Sequence, residues 1–308
     1  VIVPLIRMRL GRPPALQHDA FMSPAGPTGP SYVERPPISA LADVVSTVWV
    51  QQIAAGAPAY AHRNLPHGGT EVVCAIGAPP HVVGPLTGAQ VEVLAPGTTV
   101  VGMRLRPGAG GALLGVPPSE LVDLTVPADA IWGRAGIALG DRVGAGGSPG
   151  EALAALQAGV LARRLTDAHP DPLVTEAVRR LMPGRTSAIA ALPRLLAVSE
   201  RNLRRRCQAS VGLGPKTLHR TLRFQGFLAR AQLAIAAGRS PDGLAELAVL
   251  SGYTDQAHLT RECVRLTGTT PRAFLAETTD ACACGHDHAA SYQPMLAASF
   301  KNATAQAS

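Results

Sequence analysis

Aromatic residues make up 4% of this 308-residue chain, so its cores must be built from the Ala, Val and Leu that bring hydrophobic content to 46%. Cysteine is scarce too. Five (Cys74, Cys207, Cys263, Cys282, Cys284) form no secreted disulfide framework at this length, and a reducing cytoplasm is the natural reading. Long apolar runs are missing. The opening VIVPLIRMRL is interrupted by Arg7 and Arg9, is too short to span a bilayer, and lacks the ordered regions of a signal peptide, so no membrane partner is expected. The glycine-rich stretch from Gly108 to Gly115 has no lysine-containing phosphate loop, which argues against nucleotide binding. No G-x-S-x-G elbow and no Ser/His/Asp set stands out, and an enzyme is not expected.

What the chain does have is a repeat. Leu244, Leu247 and Ala248 are apolar at i, i+3 and i+4, the start of an amphipathic helix. Ser251-Gly252-Tyr253-Thr254 breaks the period, with Gly252 free to take a positive φ. Asp255 is a good N-cap for a second helix burying Leu259, Cys263 and Leu266, and Gly268 and Pro271 end it and start another. Ser199, Leu203, Arg205, Cys207, Gly212, Pro215 and Leu218 match Asp255, Leu259, Arg261, Cys263, Gly268, Pro271 and Phe274, each 56 positions on. Ile189-Ala190 and Leu192 match Leu244-Ala245 and Leu247 at 55, so the second turn carries one extra residue, Thr254. Pro193 fits only if the first helix of the upstream unit begins near Leu192. Two helix-turn-helix units follow, with core positions Leu192, Leu203, Cys207, Leu247, Ala248, Leu259 and Cys263.

Charge points the same way. Thr175 to Ala276 holds sixteen Arg or Lys against six Asp or Glu, a net +10 in a chain whose total is +7, which leaves −3 elsewhere. A basic domain joined to a mildly acidic one fits nucleic-acid binding by the first alone.

The runs SERNLRRRCQASVGLGPKTL and SGYTDQAHLTRECVRLTGTTPRAF, with the Leu222-Arg223-Phe224 linker between them, resemble the C-terminal DNA-binding region of AraC/XylS-family transcription regulators. Cys207 and Cys263 stand where that family usually has Phe. The resemblance implies a sequence-specific regulator, activator or repressor, with double-stranded DNA and RNA polymerase as partners. YVERPP, HRNLPHGG, VVGPLTG, VGMRLRPG and LLGVPPSELVDL resemble an uncharacterised β-rich domain found ahead of such helix-turn-helix pairs. That implies a module binding a small-molecule effector or forming a homodimer.

On the first reading helix, inward Leu203 and Cys207 turn Arg201, Arg204, Arg205 and Gln208 outward. On the second, inward Leu259 and Cys263 leave Ala257, Thr260 and Arg261 outward, with Gln256 near the N-terminus. Arg suits guanine edges, Gln adenine, and Ala a thymine methyl. Ser199, Arg220, Arg223 and His258 are assigned to phosphate contact or structural pairing.

Taken in order, residues 1–30 are expected to be disordered or over-extended, with Met22 as a candidate start; 31–167 form the β-rich domain; 168–172 a linker; 173–277 the DNA-binding domain; and 278–308 a tail. Leu41 to Gln52 reads as a helix, or a helix running into a strand. His62–Leu65, Thr70–Ile76, His81–Val83, Gln90–Leu94 and Thr98–Leu105 read as strands punctuated by Gly and Pro. Helices start at Pro118, at Ala128 and over Glu151–Leu165. The fold class is α+β: a small antiparallel barrel or sandwich with flanking helices, then an all-α domain whose units are joined by a long helix over Thr217–Ala237.

Two constellations carry metal chemistry on paper. Cys282, Cys284, His286 and His288 could wrap Zn or Cu(I), which makes a metal- or redox-responsive regulator the first rival reading. No cofactor is otherwise required. His62, His67 and Glu71 match a cupin metal motif only loosely, and core or surface histidines are the better assignment. A DNA-tethered enzyme in the barrel is the second rival.

Overall fold

The structure is a computed structural model and describes residues 30–164, 169–184, 189–236, 243–281 and 295. The expectations for residues 1–29 and for Cys282, Cys284, His286 and His288 lie outside them. The N-terminal half is built on antiparallel strands: β1 (Ser31–Arg35), β2 (Val45–Gln52), β3 (Tyr60–Asn64), β4 (Glu71–Ala75), β5 (His81–Val83), β6 (Gln90–Leu94), β7 (Thr99–Leu105) and β8 (Thr125–Pro127). Six make one sheet in the order β1-β2-β7-β4-β5-β8, while β3 and β6 pair as a separate ribbon.

Period-2 alternation decides what each face of the sheet meets. Val48, Val72, Cys74, Val101 and Met103 point to one side and pack on α1 (Gly110–Leu114), α2 (Ala128–Trp132), α3 (Arg134–Gly144) and α4 (Pro149–Arg163) through Leu113, Leu114, Trp132, Leu139, Leu156 and Val160. The other side carries Trp49 and Val100, which share a second core with Tyr32, Ile53, Ala57 and Leu94, and Tyr60 of the ribbon packs against it. Helices cover one face and the ribbon the other.

Several expectations change here. Leu41 to Gln52 is a 3-10 turn (Ser39–Leu41) and then strand β2. Both faces of that strand are buried, so its apolar residues mimic a helical spacing, and β-branched Val and Thr decide for strand. β1, β8 and α3 were not anticipated. Pro118 opens a 3-10 turn, Pro118–Glu120, rather than a longer helix.

The C-terminal half is helical: α5 (Pro172–Leu181), α6 (Leu192–Leu195), α7 (Glu200–Val211), α8 (Pro215–Ala236), α9 (Leu244–Leu250), α10 (Gln256–Thr267) and α11 (Pro271–Ala281). Pro193 sits in the first turn of α6, where its missing N–H costs nothing. Asp171 is not free linker: its carboxylate accepts from Leu173 N and Val174 N and caps α5. The long α8 serves two cores. Leu218 and Leu222 belong to the first, with Val174, Ala177, Leu181, Leu192, Leu203 and Cys207. Phe224, Phe227, Leu228 and Ala231 belong to the second, with Leu244, Ala248, Tyr253, Leu259, Cys263 and Phe274. Leu247 lies at the rim of that second core. Among the described residues, no helix is long and apolar enough to cross a membrane.

Candidate nucleic-acid interface

The helix expected to be the first reading helix is α7. Ser199 caps it, its hydroxyl accepting from Asn202 N at 3.1 Å, and Gly212 ends it in left-handed backbone. Leu203, Cys207 and Val211 are buried, so Arg201, Arg204, Arg205 and Gln208 stand exposed on the opposite face. Arg205 Nη2 donates to Asn202 Oδ1 at 3.1 Å. Arg206 turns away and its Nε donates to Asp171 Oδ2 at 2.6 Å. Partial burial raises the Asp171 pKa, but the Arg206 guanidinium outweighs it and holds the carboxyl below its usual range.

Its counterpart in the second unit, α10, repeats this geometry. Asp255 accepts from His258 N at 2.7 Å, and Leu259, Cys263 and Leu266 are buried. Gln256, Ala257 and Arg261 are exposed; Thr260 is half-buried, its hydroxyl donating to the Gln256 carbonyl at 2.9 Å. Shifted by 56 positions, Arg201, Arg204, Arg205 and Gln208 become Ala257, Thr260, Arg261 and Val264. Arginine recurs at one of the four, so the two faces differ in chemistry. A cleft of about 420 Å³ beside α10 is lined by Leu244, Gln256, Thr260, Thr270, Pro271 and Arg272. It brings Thr270 and Arg272 next to Gln256 and Thr260, which spacing within one helix could not reveal.

The linker arginines make contacts within the fold. Arg220 Nε lies 2.8 Å from Glu262 Oε2. The Arg223 guanidinium sits 4.4 Å from the centroid of the Tyr253 ring, with Nη1 donating to the Gly252 carbonyl at 3.4 Å and Nη2 3.4 Å from His258 Nε2. His258 meets Tyr253 edge-on at 5.3 Å. Both arginines therefore tie α8 to the second unit.

Neither core cysteine is poised for chemistry. Burial pushes the Cys207 and Cys263 thiols up to about 11, leaving them protonated and unreactive. In the β domain, His67 Nε2 is 3.6 Å from Glu71 Oε1, but that same oxygen accepts from Arg104 Nε at 2.6 Å. A guanidinium fills the place a metal would take. Among the described residues, no group of three His, Cys, Asp or Glu is arranged to hold a metal ion.

Residues 192–277 match the family described as a helix-turn-helix domain, and residues 33–127 match a domain of unknown function (DUF6597). No curated protein matches the sequence. Similar solved structures include ToxT from Vibrio cholerae O395, at 11% identity and a TM-score of 0.39, covering 80% of this chain and 96% of that one. The same protein bound to (E)-4-(8-methylnaphthalen-1-yl)but-3-enoic acid gives 11% identity, a TM-score of 0.41, and coverage of 80% and 98%. Unsaturated fatty acid bound wild-type ToxT from Vibrio cholerae strain SCE256 gives 11%, 0.38, and 80% and 94%.

Proposed function

From an AraC-type helix-turn-helix domain at residues 192–277, set behind a domain of unknown function, we propose that this chain is a cytoplasmic, sequence-specific regulator of transcription whose two reading helices engage one DNA duplex. The observation that carries the reading is the pairing of α7 and α10. Each is capped by an acceptor side chain, each is anchored by a buried Leu and Cys four residues apart, and each turns polar side chains to solvent. Two recognition helices on one chain address two major-groove faces about one turn, ~34 Å, apart. The bound site is then asymmetric, with two short blocks about 10 bp apart. RNA polymerase is the expected downstream partner.

The N-terminal domain is read as regulatory rather than catalytic, taking a small effector or a second copy of the chain. What supports this is contact: Leu65 packs at the rim of the second helical core and Val122 at the rim of the first. A ligand that changes that domain therefore biases both units. Selection of bound duplexes from a random library tests the proposal, and recovery of no enriched sequence would overturn it.

A further inference from the structure

The contacts between the two halves fall on matching places in the two helix-turn-helix units. At the first, a methyl group added to Gly212 would lie 2.8 Å from Pro85 Cγ and 2.8 Å from the Pro118 carbonyl oxygen. At the second, a methyl on Gly88 would lie 3.7 Å from the Arg265 carbonyl oxygen, and Arg63 Nη1 donates to the Thr267 carbonyl at 2.7 Å. Arg265 and Thr267 are the 56-residue counterparts of Ala209 and Val211, beside Gly212. The loop from Pro85 to Gly88 thus packs on the C-terminal end of α7 with its first residue and comes near that of α10 with its last, where Arg63 makes the direct hydrogen bond.

That loop is held hard. Asp123, in left-handed backbone at φ 57°, accepts from Thr87 N at 2.7 Å and from Thr87 Oγ1 at 2.6 Å. Asp123 N donates to the Pro85 carbonyl at 3.1 Å, and Gln90 Nε2 donates to the Asp123 carbonyl at 3.1 Å. Gly84 leaves no room for a side chain against the Leu121 backbone. The neighbouring Val122 packs on the core of the first unit. A second strap runs along α8: Gln225 Nε2 donates to the Pro66 carbonyl at 2.7 Å, and a methyl on Gly68 would lie 3.0 Å from Leu218 Cδ1.

We propose that the N-terminal domain is the gauge that fixes the spacing and rotational register of the two reading helices, through a bracket made of the Pro85–Gly88 loop and its Asp123 anchor. The units hang on opposite halves of α8. One helix joins them end to end but leaves them free to twist as it bends. A brace reaching both helix ends closes a triangle and removes that freedom. Each base pair added between two DNA blocks moves the second by ~3.4 Å and turns it by ~35°, so a rigid pair of helices tolerates one spacing and a loose pair several. The inference rests on the reading that α7 and α10 both contact DNA.

The test uses the full chain on duplexes whose two selected blocks are separated by the optimal spacer or by one or two base pairs more or fewer. The wild-type chain is expected to lose about tenfold or more in affinity for each base pair off the optimum, about 1.4 kcal/mol. Asp123→Gly keeps the left-handed backbone and removes the carboxylate; it should flatten the loss to about threefold or less while binding the optimal duplex nearly as well. Thr87→Ala, at an exposed position, should move in the same direction, and Asp123→Asn, which can still pair with Thr87, should behave as wild type. Spin labels carried by noncanonical residues at Glu200 and Val264, both exposed, should give one narrow distance in the wild type and a broadened one in Asp123→Gly. A folded Asp123→Gly or Thr87→Ala chain that keeps both the narrow distance and the full spacing penalty overturns the gauge. If the wild type selects no two-block site, the DNA reading itself falls; the label distances then decide alone, and an unbroadened Asp123→Gly distribution overturns the bracket.

Discussion

Ala197 and Gly252 hold the same place in the two turns, 55 positions apart, and both take left-handed backbone, at φ 52° and 79°. The turn demands that conformation whichever residue fills it. Glycine meets the demand freely, whereas alanine carries a Cβ that costs ~1–2 kcal/mol there. Replacing Ala197→Gly should raise stability by about 0.5–1 kcal/mol, the strain relief being partly offset by the greater entropy glycine gives the unfolded chain. Gly252→Ala should lower it by about 1 kcal/mol. Urea unfolding of the full chain measures both, and a destabilised Ala197→Gly would show that the turn is not strained.

His67 should make the β domain sensitive to mild acid. Burial lowers its pKa to about 4, against the pull of Glu71, because Arg104 already neutralises that carboxylate. The folded state thus holds His67 neutral, while the unfolded chain takes up a proton near pH 6.5. Stability should fall by up to about 1.4 kcal/mol per pH unit as pH drops from 6.5 towards 4. Glu71 acts later. Burial raises its pKa, but Arg104 and His67 outweigh that and hold it low, so its contribution is lost only as pH falls through the lowered value. Denaturant midpoints between pH 7 and 4 should show a shallower decline in His67→Asn, with some slope left because burial lowers His62 as well. Identical slopes would remove His67 from the account.

How much of this was legible beforehand depends on whether the signal is local. The caps at Ser199 and Asp255, the buried pairs Leu203/Cys207 and Leu259/Cys263, and the start of α6 at Leu192 follow from spacing and turn chemistry, which act within a few residues. β5 and β6 fall at their expected limits because Gly and Pro bound them. β1 escapes a period-2 reading because SYVER does not alternate in hydropathy: Glu34 is buried beside Tyr32 while Val33 is exposed, and the three-residue β8 is too short for any period to show. Long-range partners decide the rest. Pro85 and Gly88 look like ordinary loop residues until the fold brings the ends of α7 and α10 near them, and Asp123 until the loop folds onto its carboxylate.

Arg220 separates scaffold from phosphate contact. Its ion pair with Glu262 is about two-thirds removed from solvent on the arginine side and more so on the glutamate side, and it joins α8 to α10. Arg220→Ala should lower the unfolding free energy by about 1 kcal/mol and leave the salt dependence of DNA binding unchanged. A phosphate contact would instead reduce the slope of log affinity against log salt by about 1 with little effect on stability. Titrations at several salt concentrations, beside a denaturation curve, distinguish the two.

Arg205 and Arg261 are the one arginine pair that recurs on the two reading faces, and the proposed function stands or falls on them. Both are exposed, on the side of α7 or α10 opposite the buried Leu and Cys. If each helix reads its own block, the two substitutions must act independently. Arg205→Ala should cost about 1–3 kcal/mol and relax the preference in one block; Arg261→Ala should do the same in the other. The first helix also carries Arg201 and Arg204, so some affinity for its block should survive Arg205→Ala. The second helix has Ala257 and Thr260 in those places, so Arg261→Ala should degrade its block more completely. Selection of bound sequences with each variant reads the outcome position by position. A uniform loss across all sequences would make these arginines phosphate contacts. An unchanged motif in both blocks would mean that α7 and α10 do not read bases.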